Sequence, residues 1–170
     1  PCWAAAAMRL SPSDGAIAAA AQHGLTFAGN RSVVIEAGRD TTSDALPFDL
    51  APLSNVGITA RFGGVPDVLT GHPGSRTTSY IQSGDALAEP SLPAAVTTAH
   101  WYVVTGIDVA APDGAAAVVA LGNSITDGRG SGTDRQNRWP DELARRLQSD
   151  PATRLVAVLN AGIGGNCVLR

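Results

Sequence analysis

The pattern of apolar and polar residues divides this 170-residue chain near residue 113. Up to that point, short apolar stretches alternate with Gly, Pro, Asp and Ser, which favours short antiparallel strands. The candidate strands span residues 24–30, 32–36, 55–62, 77–82 and 99–109. Residues 13–22 are rich in alanine and predict a helix instead. We therefore expect residues 1–113 to form a β-rich N-terminal accessory region.

The pattern changes after the turn signal Pro112-Asp113-Gly114. Residues 115–121 are continuously apolar, which is typical of a parallel strand covered on both faces. A helix is predicted to start at Pro140 and to stop at Asp150-Pro151, and residues 154–159 predict a second strand. A strand, a helix and a strand of these lengths form a right-handed parallel crossover. The helix has one apolar stripe, which we expect in the core: Trp139, Leu143 and Leu147.

Two polar loops follow the predicted strands of this unit, and they hold the candidate chemistry. Ser124 lies just after the first strand, and Gly165 lies in a glycine-rich turn after the second. Because the carboxyl ends of parallel strands share one edge of a sheet, we expect the two loops to meet. A serine hydroxyl becomes a nucleophile when a base removes its proton, and the oxyanion that its attack creates needs fixed N–H donors. The backbone amides of Ser124 and Gly165 are the candidate donors.

These two loops resemble a known family. Gly122-Asn123-Ser124-Ile125-Thr126-Asp127-Gly128 is similar to the first signature block of the SGNH (GDSL-type) esterases and lipases, and Asn160-Ala161-Gly162-Ile163-Gly164-Gly165 is similar to the second. The resemblance implies a flavodoxin-like α/β/α sandwich and hydrolysis of carboxylic esters without a cofactor. The substrate would be a small ester or an acylated carbohydrate. The resemblance also implies that Ser124 is the nucleophile and one oxyanion donor, and that Gly165 is the second donor.

The region before these blocks resembles part of the same family. Residues 71–80 and 100–102 are similar to the β-rich region that precedes the first block in some secreted bacterial members. This resemblance implies a secreted or extracytoplasmic protein.

The chain departs from the family pattern in two ways. Asn123 stands where the family usually has Asp, and an Asn side chain can still bond the backbone of the turn. The third block and the late Asp-x-x-His motif, which supplies the family's base, do not occur in the 170 residues. Only the first two parallel strands of the sandwich are evident. We therefore expect residues 114–170 to be the first β-α-β unit of an incomplete hydrolase domain, which needs a missing C-terminal segment or another chain.

Composition narrows the possible partners. The net charge is −3 and the chain has no Lys and no basic stripe, which argues against nucleic acid. No apolar run approaches the ~20 residues of a membrane span. The glycine-rich loop at 128–132 lacks the Gly-Lys-Ser/Thr ending of a phosphate loop, and we assign no metal ligands. The two cysteines, Cys2 and Cys167, leave open a single bridge, but we expect two buried free thiols.

The remaining titratable residues have simpler interpretations. His100 lies beside Trp101 and Tyr102 in an apolar predicted strand, and we expect it to be a hydrogen-bonded structural histidine. His72 lies in a Gly-His-Pro-Gly turn, and we expect it to be exposed. Asp127 and Asp134 are expected to be solvated loop carboxylates. Because no base motif is present, an alternative function stays open: a non-catalytic carbohydrate- or protein-binding module with a degenerate hydrolase remnant.

Overall fold

The computed structural model describes residues 6–10, 15–17 and 21–167. Its elements, in chain order, are β1 Ala6–Leu10, β2 Ile58–Phe62, β3 Gly71–His72, β4 Ser79–Ser83, β5 Val96–Thr98, β6 Trp101–Tyr102, β7 Ala116–Gly122, α1 Ser124–Asp127, α2 Trp139–Ser149 and β8 Val156–Gly162. Half of the helix predicted over residues 13–22 falls outside the described residues, as does Cys2, and the part that is described, residues 15–17 and 21–22, is not α-helical. Cys167 has a free thiol, but it is exposed rather than buried as expected.

Short antiparallel strands dominate the first part of the chain, as predicted. Strand β1 lies between β2 and β4, and β5 extends the sheet beside β4, while β3 and β6 form a separate two-stranded ribbon. Met8 in β1 is paired with Ala60 on one side and Ile81 on the other, and it is only 2% exposed. Three small polar residues are also buried in this region: Ser75, Thr77 and Ser79.

The structure changes several of the strand predictions. Residues 55–62 and 77–82 correspond to β2 and β4, but only Trp101–Tyr102 of residues 99–109 forms a strand. The strand predicted over 32–36 is wrong: no described strand pairs with it, and Val34 is 83% exposed.

Residues 24–30 form a single bridge between Phe27 and Asn30 instead of a strand. The Asp44 carboxylate explains this difference. It accepts hydrogen bonds from the hydroxyl of Thr26 and from the amides of Ala28 and Gly29. A side chain thus satisfies backbone groups that a neighbouring strand would otherwise bind.

The second part of the chain contains the predicted parallel strands with a helix between them. Strands β7 and β8 pair in parallel, from Ala116 opposite Val156 to Gly122 opposite Gly162. Helix α2 follows the Arg138 N-cap, so Pro140 occupies the second helical position rather than the first. The amide of Arg138 donates to the Asp141 carboxylate at 2.9 Å, which satisfies one backbone group at the start of the helix.

The apolar strands of this unit are less covered than the sequence predicts. Among the described residues their sheet has only two strands, and of β7 only Ala120 is buried. Val119 is 60% exposed and Leu121 69%, and Trp139 on α2 is 48% exposed rather than in the core. Since α2 packs against β8, much of the apolar surface of β7 stays open to solvent. The observed fold is α/β with small sheets, and the sandwich stays a prediction.

The turn at the predicted boundary is present in the structure. The amide of Ala115 donates to the carbonyl of Pro112 at 3.1 Å, and Gly114 has a φ of 82°, which favours glycine. The division of the chain at residue 113 into two domains stays a prediction. Neither helix of the described residues has the length and apolar character that a membrane crossing requires.

Candidate active site

Ser124 is the first residue of the one-turn helix α1, directly after strand β7. Its carbonyl accepts hydrogen bonds from the amides of Gly128 at 3.1 Å and Arg129 at 2.7 Å, which closes the turn. The residue is half-buried. Its hydroxyl makes no hydrogen bond to any other described residue. The backbone of Ser124 is thus fixed while its hydroxyl stays available for other contacts.

Asn123 caps this turn in the way expected from its side chain. It has an extended backbone, and its Oδ1 accepts a hydrogen bond from the amide of Ile125 at 3.0 Å. At the other end, Gly128 adopts a φ of 117°, a left-handed conformation that ends the helix. Replacement of the family's usual Asp by Asn therefore preserves the cap and the turn.

The glycine-rich turn that holds Gly165 follows strand β8. The amide of Ile163 donates to the carbonyl of Gly122 at 3.0 Å, so the contact between the two strands continues one residue past their last pair. Gly165 has a φ of 80° and is exposed, and no atom of the described residues lies within 4 Å of the position of a Cβ atom there. Its amide donates no hydrogen bond to the described residues.

The register of β7 and β8 determines how these loops are arranged. Gly122 and Gly162 are opposite each other, Ser124 lies two residues past the first and Gly165 three residues past the second. Both candidate residues therefore follow the same edge of the parallel pair.

The loop after β7 also contacts strand β8 directly. A Cβ atom at Gly162 would lie 2.7 Å from the carbonyl carbon of Thr126, so only glycine lets α1 approach β8 this closely. Asn160 bridges the same two elements: its Nδ2 donates to the carbonyl of Thr126 at 2.9 Å, and its Oδ1 accepts from the amide of Gly162 at 3.0 Å. The turn that carries Ser124 is therefore fixed against the second strand.

An open cleft of about 300 Å³ lies between the loop after Ser124 and the start of α2. Ile125, Arg129 and Trp139 are among the residues that line it. The lining of the cleft is both apolar and cationic, and its Ile125 is the residue next to the candidate nucleophile in the chain. No group of three or more metal-ligating side chains lies together in the described residues.

Comparison with known proteins adds one finding. Residues 118–170 match the family model for GDSL-like lipase/acylhydrolase. The match begins inside β7 and includes both strand-end loops, which confirms the resemblance predicted from the two sequence blocks. It covers less than half of the chain. No curated protein matches the chain.

The GDSL-like segment, residues 118–170, contains most of β7 and all of α1, α2 and β8, so the candidate nucleophile lies within it. At the level of the family, the match supports hydrolase activity of the esterase type. The β-rich strands β1 to β6 lie before the matched residues.

Two carboxylates of the GDSL-like segment differ from their prediction as solvated groups. The side chain of Asp127 is only 7% exposed, and its Oδ1 lies 2.7 Å from Nε2 of His72. His72 is correspondingly half-buried rather than exposed. Asp134 accepts hydrogen bonds from the amide and hydroxyl of Thr78, at 2.8 and 2.5 Å. No sequence signal identified these contacts, because the partners are more than fifty residues apart and follow no motif.

The other histidine with a predicted role behaves as a structural residue. Nδ1 of His100 lies 3.4 Å from the hydroxyl of Tyr102, and the carbonyl of His100 accepts from the hydroxyl of Ser79 at 2.5 Å. Both contacts are within the β-rich region. His100 is therefore fixed among strands β4 and β6.

Proposed function

We propose that this chain carries the nucleophile of a serine ester hydrolase of the GDSL type. The observation that supports it best is the pairing of Gly122 with Gly162, since it sets the loops of Ser124 and Gly165 at one edge of the parallel pair. In open parallel sheets this edge is where ligands collect. The matched family supports the same class of reaction.

The proposed reaction proceeds through an acyl-enzyme. A base takes the proton of the Ser124 hydroxyl, and Oγ forms a bond to the ester carbonyl carbon. The bond from that carbon to the alkoxy oxygen then breaks, and the alcohol leaves with the proton that the base returns. Water repeats these steps on the acyl group, which releases the acid and restores Ser124. The substrate class is a small ester or an acylated carbohydrate.

The oxyanion would bind to the backbone amides of Ser124 and Gly165. Two features of Gly165 support its part in the proposal. Its amide has no acceptor among the described residues, and the absence of a side chain leaves the backbone open to a ligand. Fixed N–H donors at such a position stabilise the charge that develops during attack.

The base of this reaction would come from outside the 170 residues, in the same polypeptide or in another chain. The sequence has no Asp-x-x-His motif, and the family's third block is also absent. Exposed apolar side chains on β7 and β8 support a larger sheet: Val119, Leu121 and Leu159 are each more than half exposed. Further strands beside them would complete a flavodoxin-like sandwich and cover that surface.

Labelling with diisopropyl fluorophosphate tests the proposal on the full-length protein. We expect one adduct on Ser124, found by peptide mass, and hydrolysis of p-nitrophenyl acetate that falls by at least about 10³-fold in Ser124→Ala. Ser149→Ala is the matched control, because this exposed serine lies at the far end of α2 and should leave both results unchanged. A protein with no adduct on Ser124 would instead support the non-catalytic binding module.

A further inference from the structure

Asp127 is a buried carboxylate on the same turn as the candidate nucleophile. It lies three residues after Ser124 in α1, and its side chain is 7% exposed. Side chains three residues apart lie on the same face of a helix. A buried carboxylate needs a compensating partner, since removing its charge from water is costly. The partner of Asp127 therefore bears directly on how the turn of Ser124 is held.

That partner comes from the β-rich region. Nε2 of His72 lies 2.7 Å from Oδ1 of Asp127, and this buried nitrogen makes no aligned hydrogen bond to the described residues. The contact is thus a close polar one between the imidazole and the carboxylate. Gly74 covers the other oxygen: a Cβ atom there would overlap Oδ2 and lie 3.1 Å from Cγ of Asp127. The Gly-His-Pro-Gly turn therefore encloses the carboxylate from both sides.

A second contact joins the same two parts of the chain. Asp134 accepts the two hydrogen bonds from Thr78, and its own amide donates to the carbonyl of Arg76 at 2.9 Å. Asp134 has a φ of 61°, a left-handed conformation that is uncommon for a residue other than glycine. Residues 72–78, which we call the clamp segment, thus hold both the turn of Ser124 and the loop after it.

The clamp segment is itself fixed to the β-rich strands. His72 pairs with Trp101 between β3 and β6, and the Ser75 hydroxyl donates to the carbonyl of Ala99 at 3.1 Å. Ser75 is only 1% exposed. The clamp segment is thus bonded to the β-rich strands on one side and contacts α1 on the other. The position of the nucleophile turn therefore depends on the position of these strands.

We propose that His72 is a positioning residue: it holds the Asp127 carboxylate in place and thereby positions the Ser124 hydroxyl. This inference rests on the hydrolase function proposed above. Without His72, the carboxylate would lose its partner and α1 would shift towards water. A displacement of about 1 Å in a reacting group can lower a rate about 10²-fold. The clamp segment, rather than the β-rich region as a whole, then supports the catalytic turn.

The first test compares His72→Ala and His72→Gln in the full-length protein, with p-nitrophenyl acetate as substrate. We expect His72→Ala to lower kcat and the rate constant of fluorophosphate labelling by about 10- to 100-fold, with little change in KM. His72→Gln places an N–H at a similar reach and should recover part of the loss. His23→Ala is the matched control, because this ring contacts Phe48 and not the GDSL-like segment. Equal kcat in His72→Ala and the unaltered protein would overturn the proposal.

A double-mutant cycle with Asp127→Asn tests whether His72 acts through Asp127. In the Asp127→Asn background the carboxylate is gone, so removing His72 should cost much less than it does in the unaltered protein. Full additivity of the two effects would overturn the proposal.

Amide hydrogen exchange provides a measurement that needs no catalysis. The amides of Gly128 and Arg129 donate to the carbonyl of Ser124, and His72→Ala should speed their exchange while His23→Ala should not. Unchanged exchange would overturn the positioning role even if activity fell. If the unaltered protein is not labelled at Ser124, the hydrolase function fails, while exchange still shows whether His72 pins the turn.

Discussion

Gly162 at the end of β8 lies against Asp127 of α1 so closely that a Cβ atom there would be 2.8 Å from Cα of Asp127. The approach is between backbones, and no flexible side chain can move away to relieve it. The glycine therefore determines how near the turn of Ser124 sits to the second strand. This contact explains, in steric terms, why strand β8 ends on glycine.

Replacing Gly162 by Ala should destabilise the GDSL-like segment. We expect the free energy of unfolding to fall by about 1–3 kcal/mol, because the new methyl group forces α1 away from β8. Denaturant unfolding of the full-length protein measures the loss. Gly164→Ala is the control, since no atom in the described part of the chain lies within 4 Å of a Cβ atom there, and it should change stability by less than about 0.5 kcal/mol. Equal stability of the two variants would show that α1 does not pack on Gly162 as described.

The cap of α1 gives a second prediction. Asn123→Ala removes the acceptor of the Ile125 amide and should lower the free energy of unfolding by about 1 kcal/mol. Asn123→Asp keeps an acceptor of the same length, so its unfolding midpoint should match that of the unaltered protein. The same denaturant experiment separates the two variants. A loss in Asn123→Asp as large as that in Asn123→Ala would mean that the side chain does more than cap the turn.

The elements that the sequence predicted well depend on local signals. The apolar run of β7, the Asn-Ser turn and the start of α2 near Pro140 each follow from residues within a few positions of one another. The parallel pairing of β7 and β8 follows from the length of the segment between them. These features need no knowledge of distant parts of the chain, so a single sequence was sufficient.

The features that the sequence missed depend on distant contacts. Residues 32–36 have the composition of a strand but find no partner in the described residues, because pairing depends on the whole chain and not on propensity. The burial of Asp127 by His72 and Gly74 joins loops that share no pattern. Coverage of β7 was overestimated for the same reason, since burial depends on which elements lie beside the strand.

Asp44 gives a prediction about pH. Its hydrogen bonds with the Thr26 hydroxyl and the Gly29 amide lower the pKa of the carboxyl below its ordinary value. A carboxyl with a lowered pKa in the folded state contributes stability above the unfolded pKa, and this contribution is lost as pH falls through the lower, folded pKa. The turn around Ala28 and Gly29 should therefore be intact at neutral pH and loosen only in strong acid.

The amide proton shifts of Ala28 and Gly29 measure this directly by NMR. Both should titrate with a midpoint below the ordinary pKa of an Asp carboxyl. Asp44→Asn should abolish the titration, because an amide does not ionise in this range. A midpoint at or above the ordinary value would show that the hydrogen bonds to the carboxylate are absent in solution.

Gly165 gives the prediction that bears most directly on catalysis. Its φ of 80° is accessible to glycine, less so to Asn, and costly for Ala and especially for Val. Since no atom of the described residues lies within 4 Å of the Cβ position, a side chain would meet no obstacle among them. The backbone conformation alone would then turn the amide away from the oxyanion. We expect kcat to fall in the order Gly, Asn, Ala, Val, by about 10- to 100-fold at Ala, with KM nearly constant. Gly164→Ala is the control: this glycine does not have a positive φ, so the variant should keep its kcat. If Gly165→Ala hydrolyses p-nitrophenyl acetate as fast as the unaltered protein, the Gly165 amide is not an oxyanion donor, while Ser124 stays the proposed nucleophile.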